Sequence, residues 1–89
     1  MEIYLIYGIS DCPACLQAQA ALMENEIEYV FINADFSKTY RSAIKEEFGW
    51  QTFPIIIKVT PEKEELVGGY DDLCYVLEKQ STAPTGIVH

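Results

Sequence analysis

The chain has 89 residues, 49% hydrophobic and 22% charged, which is enough for one small core and too little for two. Six Lys and Arg against 14 Asp and Glu give a formal charge of -8, a field that repels a phosphate backbone and argues against nucleic-acid binding. No apolar run reaches membrane-spanning length, and Met1-Glu2 leads into an apolar run without the basic start of a signal peptide, so no membrane partner and a cytoplasmic location are expected.

Ile3 to Tyr7 is continuously apolar and β-prone, the pattern of a central strand covered on both faces, and Gly8-Ile9-Ser10-Asp11 reads as the turn after it. Cys12-Pro13-Ala14-Cys15 follows, with Pro13 suited to the first turn of a helix because its missing N–H costs nothing there. Leu16, Ala20 and Met23 recur at helical spacing and are expected to form the apolar face of that helix, which ends near Asn25. Tyr29 to Ile32 is a second strand, parallel to the first through a right-handed crossover. Ser37 is placed to cap a second helix whose apolar face is Tyr40, Ala43, Ile44 and Phe48 and whose end is Gly49. Its other face carries Lys38, Arg41 and Lys45, half of the cations of the chain. For Lys38 and Lys45 a solvated face is the simpler reading.

Pro54 opens the run Ile55-Ile56-Ile57-Lys58-Val59, and the turn Thr60 to Lys63 leads to Glu65-Leu66-Val67, an antiparallel hairpin. After Gly68-Gly69, the residues Leu73, Val76 and Leu77 mark a last helix with Asp71 and Asp72 in its first turn, where the helix dipole favours acids. One domain is expected over residues 1–80, with 81–89 as a loose tail. The order β-α-β-α-β-β-α implies an α/β fold, a four-stranded mixed sheet flanked by three helices.

The chemistry rests on Cys12 and Cys15. Residues three apart on a helical turn share a face, so the two sulfurs can close a disulfide with little backbone movement. Cys12 would sit at the positive end of the helix dipole, among unpaired N–H groups, which lowers a thiol pKa below the free value of about 8.5. Cys12 is then the attacking thiolate and Cys15, one turn deeper, the resolving thiol. Three cysteines do not make the disulfide framework of a secreted protein. Cys74, one turn beyond Tyr70, is most simply a small buried residue of the last helix. Tyr7 and Trp50 read as packing residues, the latter against the second helix, and His89 carries no motif.

Three segments together, Cys12-Pro13-Ala14-Cys15, Thr52-Phe53-Pro54 and Gly68-Gly69-Tyr70-Asp71-Asp72-Leu73, resemble the glutaredoxin family, dithiol type, over Met1 to about Gln80. The resemblance implies a thioredoxin fold, a cis Phe53-Pro54 bond facing the cysteines, and glutathione as reducing co-substrate. It further implies that the backbone of Phe53 pairs with the extended tripeptide, with Thr52 and Pro54 in the same binding segment. Asp71 and Asp72 would meet its free amino end, while the N–H groups at that helix start hold its α-carboxylate. Arg41 stands where relatives supply a polar or cationic group for the glycine carboxylate, and a guanidinium fork suits that geometry.

The chain departs from the family pattern at Ala14, where a tyrosine is usual, at Ile9, where many members carry lysine, and at Phe53, where valine is usual. The expected activity is reduction of protein disulfides or glutathione mixed disulfides, by a monomer and without a metal, with ribonucleotide reductase as a candidate client. One alternative keeps the chemistry but takes electrons from thioredoxin reductase. Another is an iron-sulfur binding module, against which Pro13 counts; a structural zinc site would want four ligands at a familiar spacing.

Overall fold

The first strand, β1 (Ile3–Gly8), sends alternate side chains into two separate cores, which is why its sequence is apolar without alternation. The structure is a computed structural model that describes residues 2–85, with side chains placed through Lys79. After β1 come α1 (Pro13–Glu24), β2 (Tyr29–Asn33), α2 (Lys38–Phe48), β3 (Ile55–Val59), β4 (Glu64–Gly68) and α3 (Tyr70–Thr85). The sheet order is β2-β1-β3-β4. β1 pairs parallel with β2 and antiparallel with β3, and β3 pairs antiparallel with β4. A thioredoxin fold with a four-stranded mixed sheet and three helices is thus what the chain forms.

On one face of the sheet, Tyr4, Ile6 and Ile56 pack with Ala18 and Leu22 of α1 and Leu73 and Leu77 of α3. On the other face, Ile55 and Ile57 pack with Ile44 of α2, with Leu5, Tyr7, Phe48 and Trp50 half-buried around them. Each fully buried Ile or Leu contributes about 1.5–3 kcal/mol, so β1 and β3, shared by both cores, anchor the molecule.

The buried stripe of α1 differs from the expected one. Cys15, Ala18 and Leu22 face the core, whereas Leu16 and Met23 are 66% and 59% exposed and Ala20 is exposed as well. The helix is apolar around most of its circumference, so periodicity admits two faces, and the position of Cys15 beneath the end of β1 selects between them. In α2, Ile44 is buried and Tyr40 and Phe48 pack against the core, but Ala43 is exposed. The helix begins where Ser37 Oγ accepts the Tyr40 N–H at 3.1 Å and ends at Gly49 in the left-handed region, φ 63°, where glycine is favoured.

α3 continues to Thr85 and so takes in Ser81–Thr85 of the stretch expected as tail. Residues 86–89, including His89, lie outside the described part.

Candidate active site

Cys12 is the N-cap of α1 and Pro13 its first residue. Asp11, φ 55°, turns the chain into the helix through the left-handed region, which Asp tolerates better than most residues. The two cysteines are joined as a disulfide with Cα atoms 5.3 Å apart. Cys12 is half-buried and Cys15 only 1% exposed. The Cys15 N–H points at Cys12 Sγ, 3.2 Å away. A donor so placed, at the positive end of a helix, stabilises negative charge on that sulfur once the disulfide opens. The less buried of the two cysteines is therefore the one an incoming group can reach and also the one whose thiolate is supported.

Beside this tip lies a groove of about 480 Å³. It is lined by the segment Thr52-Phe53-Pro54, in which the Phe53-Pro54 bond is cis, by Asp71 and Asp72 at the start of α3, and by Ala14 and Gln17 from α1. Gly68 has φ +120°, and a side chain there would run into Asp72 Oδ2 at 2.6 Å. The space left by that glycine lets Asp72 Oδ2 accept the Gly69 N–H at 3.0 Å, the N3-to-N-cap half of a capping box. The second carboxylate oxygen and Asp71 remain to meet a ligand.

Of the residues expected from sequence, the groove brings together Thr52, Phe53, Pro54, Asp71 and Asp72. Arg41 is not among them, contrary to expectation. Its Nη1 donates to the carbonyls of Ala34 at 3.2 Å and Asp35 at 2.8 Å. The chain leaves the sheet at Asn33 and turns into α2, and these two carbonyls lie beside the first turn of the helix, where a guanidinium satisfies both. Lys45 instead lies 5.4 Å from the centre of the Phe53 ring, a cation over an aromatic face, so it is tied to the groove wall and not simply solvated.

Three contributors lay outside the sequence reading of the site. Gly8 ends β1 directly beneath the disulfide, and a Cβ there would stand 2.7 Å from the Phe31 ring and 2.9 Å from Cys15 Sγ. Gln17 and Trp50 line the groove. Gln17 had a usable signal, one turn beyond Ala14 on the same helical face; Gly8 and Trp50 had none, because both act through neighbours distant in sequence. Tyr7 is a packing residue, its ring 5.6 Å from that of Phe48, and burial raises its phenol pKa above the ordinary value, with Tyr40, Glu47 and Glu64 adding to the effect.

At the back of the site, Asp35 Oδ2 accepts the Ser10 N–H at 2.8 Å and so ties the loop before Cys12 to the loop before α2. Hydrogen bonds from the Ser10 side chain and backbone, with the charge of Arg41, hold the Asp35 carboxyl below its usual pKa. Cys74 is half-buried and unpaired with another cysteine; its interaction with Tyr70 raises the tyrosine pKa.

The glutaredoxin family model matches residues 4–59. Among solved structures, glutaredoxin 1 from Francisella tularensis superposes with a TM-score of 0.73 at 24% identity, covering 92% of this chain and 99% of that one. A glutaredoxin from Brucella melitensis gives 0.63 at 28% identity, over 92% and 84%. A buckwheat glutaredoxin in complex with glutathione gives 0.70 at 15% identity, over 91% and 73%. No functionally curated protein matches the chain significantly. The family match spans the cysteine pair, both loops behind it and the cis proline, and the chain belongs to the glutaredoxin family of thiol-disulfide oxidoreductases.

Proposed function

We propose that the protein reduces disulfides, or mixed disulfides with glutathione, at the expense of glutathione. The observation that carries this reading is the juxtaposition of an accessible Cys12 sulfur with a groove that offers backbone and carboxylate groups to an extended peptide. The buckwheat relative binds glutathione, which supports the same ligand here.

In the reduced protein, the Cys12 thiolate attacks one sulfur of a substrate disulfide, forming a mixed disulfide and releasing the other substrate sulfur as a thiolate, which takes up a proton. Cys15 gives up its proton and attacks the Cys12 sulfur, so the substrate leaves as its second thiol and the Cys12–Cys15 disulfide closes. Two glutathiones then restore the dithiol: the first attacks Cys12, the second attacks the glutathione sulfur, and glutathione disulfide leaves with the two electrons. The Phe53 backbone, the acids of α3 and the N–H groups around Gly69 hold the tripeptide extended along the groove.

Cys12→Ser should abolish glutathione-dependent reduction, whereas Cys15→Ser should keep turnover of glutathione mixed disulfides, which needs one thiol. Retained activity in Cys12→Ser would overturn the mechanism. A second reading takes electrons from thioredoxin reductase. The engagement of Arg41 with Ala34 and Asp35 favours it, since that removes one expected cation from the groove. Parallel assays with glutathione plus glutathione reductase, and with thioredoxin reductase, separate the two.

A further inference from the structure

Trp50 is the single tryptophan of the chain. Its ring packs in the core on the α2 side of the sheet, yet the residue also lines the groove. The indole Nε1–H is buried and has no hydrogen-bond partner among the described residues. A donor in that state costs free energy, and native proteins rarely leave one so without a use.

Nε1 has polar neighbours around Gly69. At Gly69, the point where a side chain would begin is 3.7 Å from Trp50 Nε1, 3.8 Å from the Pro54 carbonyl oxygen and 3.9 Å from Asp72 Oδ2. One donor and two acceptors thus border the space left by the missing side chain of Gly69, at the start of α3. An indole N–H is donor only, so its partner must be an acceptor oxygen, while the two acceptors favour an ammonium nearby. A free amino-acid terminus, carboxylate and ammonium on one carbon, presents both.

We infer that Trp50 is a ligand-binding residue, whose indole N–H donates to the α-carboxylate of the γ-glutamyl end of bound glutathione. A small tilt of the ring toward Gly69 presents the hydrogen to the ligand. The inference rests on the proposed use of glutathione and adds to it a side chain that selects a free α-carboxylate at that end of the groove.

Trp50→Phe keeps an aromatic ring and removes the donor, together with part of the packed indole surface. Loss of a bond to a charged oxygen should raise KM for glutathione between about ten- and a hundredfold, with kcat unchanged. Amidation of the γ-glutamyl α-carboxylate should weaken binding to the wild type and have little further effect on Trp50→Phe. Gly69→Ala, whose Cβ meets its neighbours at ordinary contact distance, should fill the space and raise KM in the same way.

An unchanged KM in Trp50→Phe overturns the inference. So does an amidated ligand that loses as much affinity for Trp50→Phe as for the wild type, which would show that the indole N–H does not read that carboxylate. A wild type that is inactive with glutathione overturns the glutathione reading and this inference together, an outcome distinct from an active wild type indifferent to the substitution.

Discussion

Gly8 shows how tightly a single residue is held at this site. A methyl group there has no room between the Phe31 ring and Cys15 Sγ, and overpacking of this kind typically costs about 1–3 kcal/mol. Gly8→Ala should lower the urea midpoint accordingly and slow closure of the Cys12–Cys15 disulfide, measured by thiol trapping against time. Asp35 predicts a pH dependence. Its folded pKa lies below the unfolded one, so its contribution is present above the ordinary carboxylate range, near pH 4, and disappears as pH falls through the folded value. The difference in thermal midpoint between wild type and Asp35→Ala should be constant at neutral pH and shrink in acid. The cysteines announced themselves as a residue type with a chemical meaning, whereas the cis proline was implied only by the resemblance that Thr52-Phe53-Pro54 helps to carry. Arg41 misled because a cation at a plausible spacing can be claimed by backbone carbonyls, and only the path of the chain after Asn33 shows that Ala34 and Asp35 need it.

Helices and strands were readable where local chemistry decides them. The cap at Ser37 and the stop at Gly49 both stand where side-chain oxygen and left-handed backbone require them. Ser37→Ala should cost about 1 kcal/mol, seen as a shift in denaturation midpoint without a change in slope. The face of α1 was not readable, because Leu16, Ala20 and Met23 and the true stripe Cys15, Ala18 and Leu22 are apolar alike. That assignment is open to a direct check by urea unfolding. Leu16→Lys and Met23→Lys should each change stability by less than about 0.5 kcal/mol, whereas Leu22→Ala should cost about 2–5 kcal/mol.

For the whole molecule, the two-sided burial of β1 and β3 sets the hierarchy of stability. Amide exchange should be slowest in these two central strands and faster in the edge strands β2 and β4, where Val30 and Leu66 are 45% and 41% exposed; faster exchange in β1 than in β2 would contradict this topology. By itself the sequence determined the order of elements, the mixed four-stranded sheet and the paired cysteines at a helix start, because strand pattern, capping and thiol chemistry are local properties of a few neighbouring residues. Tertiary structure alone decided which face of α1 is buried, that Arg41 serves a loop, and that Gly8 and Trp50 belong to the site. Those roles are distances between residues remote in the chain, and such distances exist only once the sheet and its helices have packed.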